Sequence, residues 1–394
     1  MGNLILARNI EMNKNYYVTL TGSKNNAGDF LIKYRAFKLF EKFRPDRKII
    51  DYNGWEAIDD DRLEIINKSK ALILLGGPGL VRNFYPNIYK LRNNLDDIKV
   101  PIIMMGIGWK DQNGSWEDTY DYPLTQNSLK LLNRIENSGY YSSVRGYHTL
   151  NVLQIKGYKK FLMTGCPAYY DVDYFGKSIE NKEIKKIAFS LGVSFIRNNN
   201  MLKQMQDLIL SLKNKFKGKK FEVVFHHSLD KKEVMSIYGR SHKKHMNEHL
   251  KFVKWLEYNK IDYIDISGSA ENLVNYYNNI DLHIGYRVHA HIFMSSIRKF
   301  SILLSEDGRG KEVAKTIGGI VIDAYKKSKK DLISKVLNRL FDNFSTLEEN
   351  KFLKNELFNS LDYEKMTNFI RLNGSFLNID NNFSVMKYFL KQLP

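Results

Sequence analysis

Acidic residues are in short supply in this chain. Against 61 Lys and Arg stand 43 Asp and Glu, a formal charge of +18 over 394 residues. Such an excess favours polyanions, anionic lipid headgroups or phosphorylated substrates as partners, although an AT-rich genome that inflates Lys, Asn and Ile leaves the same mark. Cysteine is nearly missing. With Cys166 alone, an intrachain disulfide is excluded, a zinc cluster is disfavoured and a reducing cytosol is expected. No apolar run approaches the roughly 18 residues of a membrane span, and the N-terminal stretch lacks the charged, apolar, small-residue order of a secretory signal. A cytoplasmic protein is therefore expected, with peripheral contact at the inner face of an anionic cell membrane as a further expectation. Zinc-finger spacing, RNP-like aromatics and a clear helix-turn-helix are all missing, so no nucleic-acid partner is expected. No G-x-x-x-x-G-K-[ST] phosphate loop is present either.

What the chain does have is 43% hydrophobic residues in a strict rhythm. Apolar strands are expected at 16–20, 47–51, 70–75, 100–105, 140–144 and 161–163, with helices from 29 to 43 and from 145 to 156. After a charged linker at 176–186 the rhythm restarts, with strands at 186–191, 221–225, 263–266, 300–304 and 319–322. Helices are expected at 200–216, through the long polar stretch 230–259, at 270–278 and at 290–297. Such alternation predicts an α/β fold with mostly parallel sheets covered on both faces. The length suggests two Rossmann-like domains facing a cleft, 1–180 and 181–326, with a C-terminal helical extension, 327–394. That basic tail either packs across both domains or lies on a membrane surface, and its apolar residues favour packing.

Ligands in such folds sit outside the carboxyl ends of the strands, and the polar clusters fall there. Asp281-Leu-His-Ile-Gly-Tyr-Arg-Val-His289 reads as a strand, a Gly turn and a helix start. It sets the fixed charge of Arg287 and the titratable imidazole of His289 where an anion can be held and a proton moved. Asn26-Ala-Gly28-Asp29 enters a helix, so its backbone N–H groups can meet an anion or sugar, while Asp29 either accepts from hydroxyls or is a plain N-cap. Gly76-Gly77-Pro-Gly79 and Gly106-Ile-Gly108 either admit a ligand close to the backbone or are tight turns; neither is a dinucleotide fingerprint. Arg145, at the end of a buried strand, needs an anion or a carboxylate such as those at 171–173. Of His226-His227, one is expected to touch substrate and the other to pack; further ligands for a metal cannot be assigned. His242, Lys244 and His245 read as a solvated helix face. Glu306 or Asp307 can serve as an acid or bind a sugar hydroxyl, or belong to a charged Gly-rich turn.

Five segments occur in a telling order: Asn26-Ala-Gly-Asp29, Leu74-Leu-Gly-Gly-Pro-Gly79, Ser143-Val-Arg145, Gly165-Cys-Pro-Ala168 and Asp281 through His289. Together they resemble the polysaccharide pyruvyl transferase family, with its N-x-G-D turn, G-G-rich strand end, S-x-R-D and G-D-P segments and late G-x-R-x-H motif. Gly146 and Cys166 stand where that family has Asp, and Ser305-Glu-Asp-Gly-Arg309 replaces its Tyr-Asp-x-Lys character. The resemblance implies an architecture similar to GT-B glycosyltransferases. It implies transfer of the enolpyruvyl unit of phosphoenolpyruvate onto a sugar as a cyclic ketal, with release of phosphate. The acceptor would be a saccharide, lipid-linked during capsule or exopolysaccharide assembly. Arg145, Arg287 and His289 would line the donor site, His289 as acid or base near neutral pKa, and Asp29 would orient or deprotonate the acceptor. Asn26, Gly28, Gly76, Gly77, His226, Ser267 and Glu306 complete the expected binding set, and no metal or organic cofactor is required. The rival expectation is a GT-B glycosyltransferase whose nucleotide sugar is held by Ser267 and Glu306. A third is a glycan- or membrane-binding chain without turnover.

Overall fold

The computed structural model describes residues 15–22, 24–111, 113–196, 198–326 and 348–394. The start of the expected tail, 327–347, lies outside the described residues. The first half threads β1 (Tyr16–Thr21), α1 (Ala27–Phe43), β2 (Lys48–Asn53), α2 (Asp60–Lys68), β3 (Ala71–Leu75), β4 (Ile102–Met105), α3 (Gln126–Glu136), β5 (Ser142–Val144), α4 (Tyr147–Ile155) and β6 (Phe161–Met163). Its strands run parallel in the order β2-β1-β3-β4, with Val18 level with Ile50 on one side and Leu72 on the other. The parallel pair β5-β6 extends this sheet, since Gly106 N donates to Ser143 O at 3.0 Å and Ile107 bridges to Val144. The cause is visible in the residues: β3 is Ala-Leu-Ile-Leu-Leu and β4 is Ile-Ile-Met-Met, buried throughout, as strands covered on both faces must be.

The second half repeats the plan with β7 (Lys186–Ser190), α5 (Asn199–Lys215), β8 (Lys220–Phe225), α6 (Lys231–Tyr238), α7 (Lys243–Tyr258), β9 (Asp262–Asp265), α8 (Ala270–Tyr277), β10 (Leu282–Gly285), α9 (Val288–Ser296), β11 (Phe300–Ser305), α10 (Gly308–Ile317) and β12 (Ile320–Asp323). All six strands are parallel, in the order β12-β11-β10-β7-β8-β9. Parallel neighbours need long crossovers, which the intervening helices supply. The expected single helix over 230–259 is two, because Gly239 adopts φ +68° and closes α6 before α7 begins. Helix α10 starts inside the segment read as a Gly-rich turn, capped by the Asp307 side chain, which accepts from Arg309 N.

A short antiparallel pair, β13 (Tyr325–Lys326) with β14 (Glu348–Glu349), leads into α11 (Leu353–Met366) and α12 (Ile370–Lys391). The tail packs across both halves. Leu353, Leu357 and Leu361 join the core around Ile320 and Ile322, whereas Phe383, Met386 and Phe389 join the core around Tyr17 and Phe40. Each buried apolar side chain of that size contributes about 1.5–3 kcal/mol. The chain end is also tied down: Arg44 Nη1 donates to Leu393 O at 2.6 Å, and the Tyr17 hydroxyl to Pro394 O at 2.7 Å. No helix among the described residues is long and apolar enough to cross a membrane.

Candidate active site

The carboxyl ends of the two sheets face each other, and two rims join them. On one rim Asn25 Oδ1 accepts from Ser228 N at 2.9 Å, Asn25 O from Gly268 N at 2.9 Å, and Asn25 Nδ2 donates to Glu233 at 2.6 Å. On the other, Gly308 N donates to Asp111 O at 3.0 Å and Arg145 pairs with Glu312 at 2.8 Å. The first half brings Asn26, Gly28, Asp29 and Arg145 between these rims, and the second brings Arg287, His289 and Arg309.

Strand β10 must end in glycine, because a Cβ at 285 would fall under 3.0 Å from the Ser190 backbone. The chain then turns into α9. Arg287 stands at its N-cap, its N donating to Ser190 Oγ at 3.0 Å, and His289 sits in the first turn. The His289 ring rests against Gly28 so closely that a Cβ there would fall under 3.0 Å from Nδ1, which makes Gly28 the contact between the N-x-G-D turn and the late motif. Arg145, 1% exposed, spends Nε and Nη2 on Glu312 at 3.0 and 2.8 Å. The other Glu312 oxygen takes the Thr149 hydroxyl. Between the rims, four buried nitrogens have no partner among the described residues: Arg145 Nη1, Arg287 Nε and Nη2, and His289 Nε2. A buried donor without an acceptor costs about 1–3 kcal/mol, so such a group in one crevice calls for an anion.

Electrostatics points the same way. Burial, then the guanidinium groups of Arg145, Arg309 and Arg287, push His289 down to about 3, so the free site holds this imidazole neutral rather than near its titration point as expected from sequence. Loss of solvent pushes the Asp29 carboxyl up to about 6, against the Asn26 hydrogen bond and the same three arginines. Burial lowers Arg287 to about 10, opposed first by Glu306. Arg309 is raised, chiefly by Asp307, which it grips through Nε at 3.0 Å and Nη2 at 2.7 Å.

Several expected residues sit differently. Of the histidine pair, His226 is the one that packs: its Nε2 meets the Tyr277 hydroxyl at 2.9 Å, while His227 stays partly exposed near enough to Arg287 to feel its charge. Of the two alternatives for Arg145, an anion or a carboxylate such as those at 171–173, a carboxylate is present but not from that stretch: Asp171 binds Arg35, and Glu312 on the opposite half pairs with Arg145. Glu306 faces inward and accepts from Val193 N at 3.0 Å and Ser194 N at 2.9 Å. Ser267 lies on the rim, its N donating to Asp265 Oδ1, and Ser269 is the residue that caps α8. Gly76 backs onto Ile32 of α1, whereas Gly77 has open space where a side chain would stand. Asn26 caps α1 and its Nδ2 reaches Asp29 at 3.2 Å. His245 is no solvated-face residue: it stacks on His249 at 4.2 Å and meets His227 edge-on at 5.4 Å. Sequence reasoning missed Glu312 and Arg309. The Asp307-Gly-Arg309 spacing at a helix start signalled the second; nothing local signalled the first. A separate groove of about 990 Å³, lined by Trp116, His148, Lys315 and Asn359 among others, holds none of these groups.

Such a crevice can hold a compact, multiply charged anion beside a neutral imidazole and a carboxylate of raised pKa. Gly28→Ala tests the packing of that imidazole. The added methyl must displace His289, and a shift of about 1 Å costs about 10²-fold in rate. Displacing a buried ring costs about 1–3 kcal/mol as well, so the melting temperature should drop modestly while activity falls by the larger factor.

Comparison with solved structures finds likeness of fold at low identity. UDP-GlcNAc 2-epimerase from Neisseria meningitidis, bound to UDP-GlcNAc, matches with 10% identity and a TM-score of 0.48 over 94% of this chain and 98% of that one. The Methanocaldococcus jannaschii UDP-GlcNAc 2-epimerase, in complex with UDP-GlcNAc and UDP, gives 12%, 0.45, 95% and 99%. No curated protein matches the sequence. The family described as polysaccharide pyruvyl transferase does match, over residues 26–293. That span is well over half of the chain and runs from the Asn26 cap through the Arg287 and His289 motif: this chain belongs to the polysaccharide pyruvyl transferase family.

Proposed function

We propose that this transferase moves the enolpyruvyl unit of phosphoenolpyruvate onto two hydroxyls of a sugar, forming a cyclic ketal and releasing phosphate. The observation that carries the reading is the set of unpartnered buried nitrogens on Arg145, Arg287 and His289. Phosphoenolpyruvate presents a phosphate and a carboxylate, and planar guanidinium groups from opposite halves suit both. Bound there, its negative charge opposes the arginine field that adds to burial in keeping His289 neutral, which favours a proton on the imidazole as the donor arrives. His289 Nε2 then gives that proton to the methylene carbon, which becomes a methyl group, and C2 turns electrophilic. One sugar hydroxyl attacks C2 and yields its proton to Asp29. The C2–O bond to phosphate breaks, the second hydroxyl closes the ketal, and the departing phosphate leaves as hydrogen phosphate with the remaining proton. Donor, diol, ketal and hydrogen phosphate then balance in atoms and charge.

The division near residue 180 into an acceptor-side and a donor-side domain belongs to this proposal, as does a lipid-linked acceptor at the inner membrane face, in capsule or exopolysaccharide assembly. The surplus of Lys and Arg supports it, since anionic headgroups and a diphosphate-bearing acceptor both attract a basic surface. Two measurements test the donor. Phosphoenolpyruvate should raise the melting temperature where UDP, GDP and CMP do not, and phosphate should be released from it only with a diol-bearing saccharide. Stabilisation by a nucleotide alone would assign the site to glycosyl transfer instead.

A further inference from the structure

Beside the rim where Asn25 meets Ser228 and Glu233, side chains from both halves gather around Lys24. Lys24 lies on the β1–α1 loop, with Nζ 4.9 Å from the centre of the Trp55 ring and 5.8 Å from that of Tyr238. Trp55 follows β2 and is partly exposed; its Nε1 donates to Gly22 O at 2.8 Å, and it belongs to none of the three buried clusters. Tyr238 ends α6 on the opposite half and stacks on His242 at 4.4 Å. Burial, then the nearby Asp29, push the Tyr238 phenol up to about 12, and Lys24 helps to lower His242. These groups therefore cluster beside the Asn25 rim, one residue from the Asn26 cap of the helix that carries Asp29. Among the described residues Lys24 forms no ion pair, a cation held between two rings rather than against an acid.

We propose that Lys24, Trp55 and Tyr238 form a subsite for a glycosyl phosphate: a sugar whose ring meets the aromatic walls and whose anomeric phosphate meets Lys24. The inference rests on the pyruvyl-transfer reading for the direction of the sugar, whose diol points inward to Asp29. Aromatic faces take the apolar C–H face of a pyranose, and their hydroxyl and indole edges tolerate water. A cation over aromatic rings at a partly exposed site gains only about 0.5–1 kcal/mol, so Lys24 is readily surrendered to a phosphate, which binds an ammonium through charge-assisted hydrogen bonds. With the phosphate anchored at Lys24 and the diol at Asp29, the sugar has one orientation. The subsite thereby selects acceptors before their sugar has been transferred off its phosphate carrier. A polyprenyl diphosphate and a nucleoside diphosphate both present that chemistry.

The test measures binding to the full chain by calorimetry, using hexose and N-acetylhexosamine 1-phosphates beside the matching methyl glycosides. At least one sugar phosphate should bind more tightly than its methyl glycoside. Lys24→Ala should weaken the sugar phosphate by about 10–100-fold and leave the glycoside unchanged. Trp55→Ala should weaken both. Equal affinity of the two ligand types for the wild type, or a Lys24→Ala variant that binds the phosphate as well as the parent, overturns the subsite. Phosphoenolpyruvate binding, followed in parallel, separates this from the donor proposal. Its loss with the Lys24 dependence intact sinks the donor reading alone; its presence without that dependence sinks the subsite alone. Sugars on polyprenyl diphosphate and on nucleoside diphosphate, compared in detergent, then tell the two phosphate sources apart.

Discussion

His289→Ala should lower phosphate release from phosphoenolpyruvate by about 10²–10⁴-fold, the range for loss of a positioned acid or base, without changing the sheets around it. The ring lies on the Gly28 backbone, and its buried Nε2 has no partner among the described residues. The sign of its titration can be worked out. The free site holds it at about 3, so it is neutral at pH 7. An incoming anion opposes the arginines and raises that value, so donor binding should be linked to proton uptake that grows as pH is lowered from 7. Calorimetry in buffers of different ionisation enthalpy reads this uptake, and the imidazole's share should vanish in His289→Ala. Asp29 moves the other way in function. Its carboxyl is pushed up to about 6, so it is a base above that pH and a protonated bystander below it. The rate should therefore fall as pH drops through about 6, and Asp29→Asn should lower the rate and flatten that limb. Wild-type turnover in His289→Ala would remove the proton-transfer scheme.

Glu312→Ala should destabilise the protein by about 3–5 kcal/mol, the cost of stripping a buried charge of its partner, read from the shift of the urea transition at unchanged slope. Arg145 and Glu312 are each about 1% exposed in their side chains, and each half of the molecule supplies one of them. Glu312→Gln keeps an oxygen for the Thr149 hydroxyl and should cost less. The functional consequence differs from the structural one: without Glu312 the guanidinium is no longer aimed, so the donor KM should rise more than kcat falls in the Gln variant. Gly146 explains the pairing. A Cβ there would fall under 3.0 Å from Glu312 Cγ, so the glycine clears the space that the opposite helix fills. The carboxylate beside Arg145 arrives across the crevice, from Glu312.

How much of this was readable in the residues follows from how each feature is encoded. Both parallel sheets were legible because strands such as Ala71–Leu75 are buried on both faces and written as unbroken apolar runs. Arg287 and His289 were legible because one turn and one helix start fix them relative to each other within five residues of Gly285. Glu312 was not, because its partner is far away in sequence and its helix begins in a segment dressed as a turn. The split roles of His226 and His227 depend on Tyr277 and His245, which only the fold brings near. The low pKa of His289 comes first from burial and then from Arg145, Arg309 and Arg287, and the burial and two of the arginines are brought to it only by the fold.

The central claim is that one small anion bridges the two halves, and diffraction from crystals soaked with phosphoenolpyruvate tests it most directly. The account predicts its phosphate and carboxylate within hydrogen-bond reach of Arg145 Nη1 and of Arg287 Nε and Nη2, with the methylene carbon turned toward His289 Nε2. Density for the donor elsewhere, or in contact with one half only and away from His289, would contradict it.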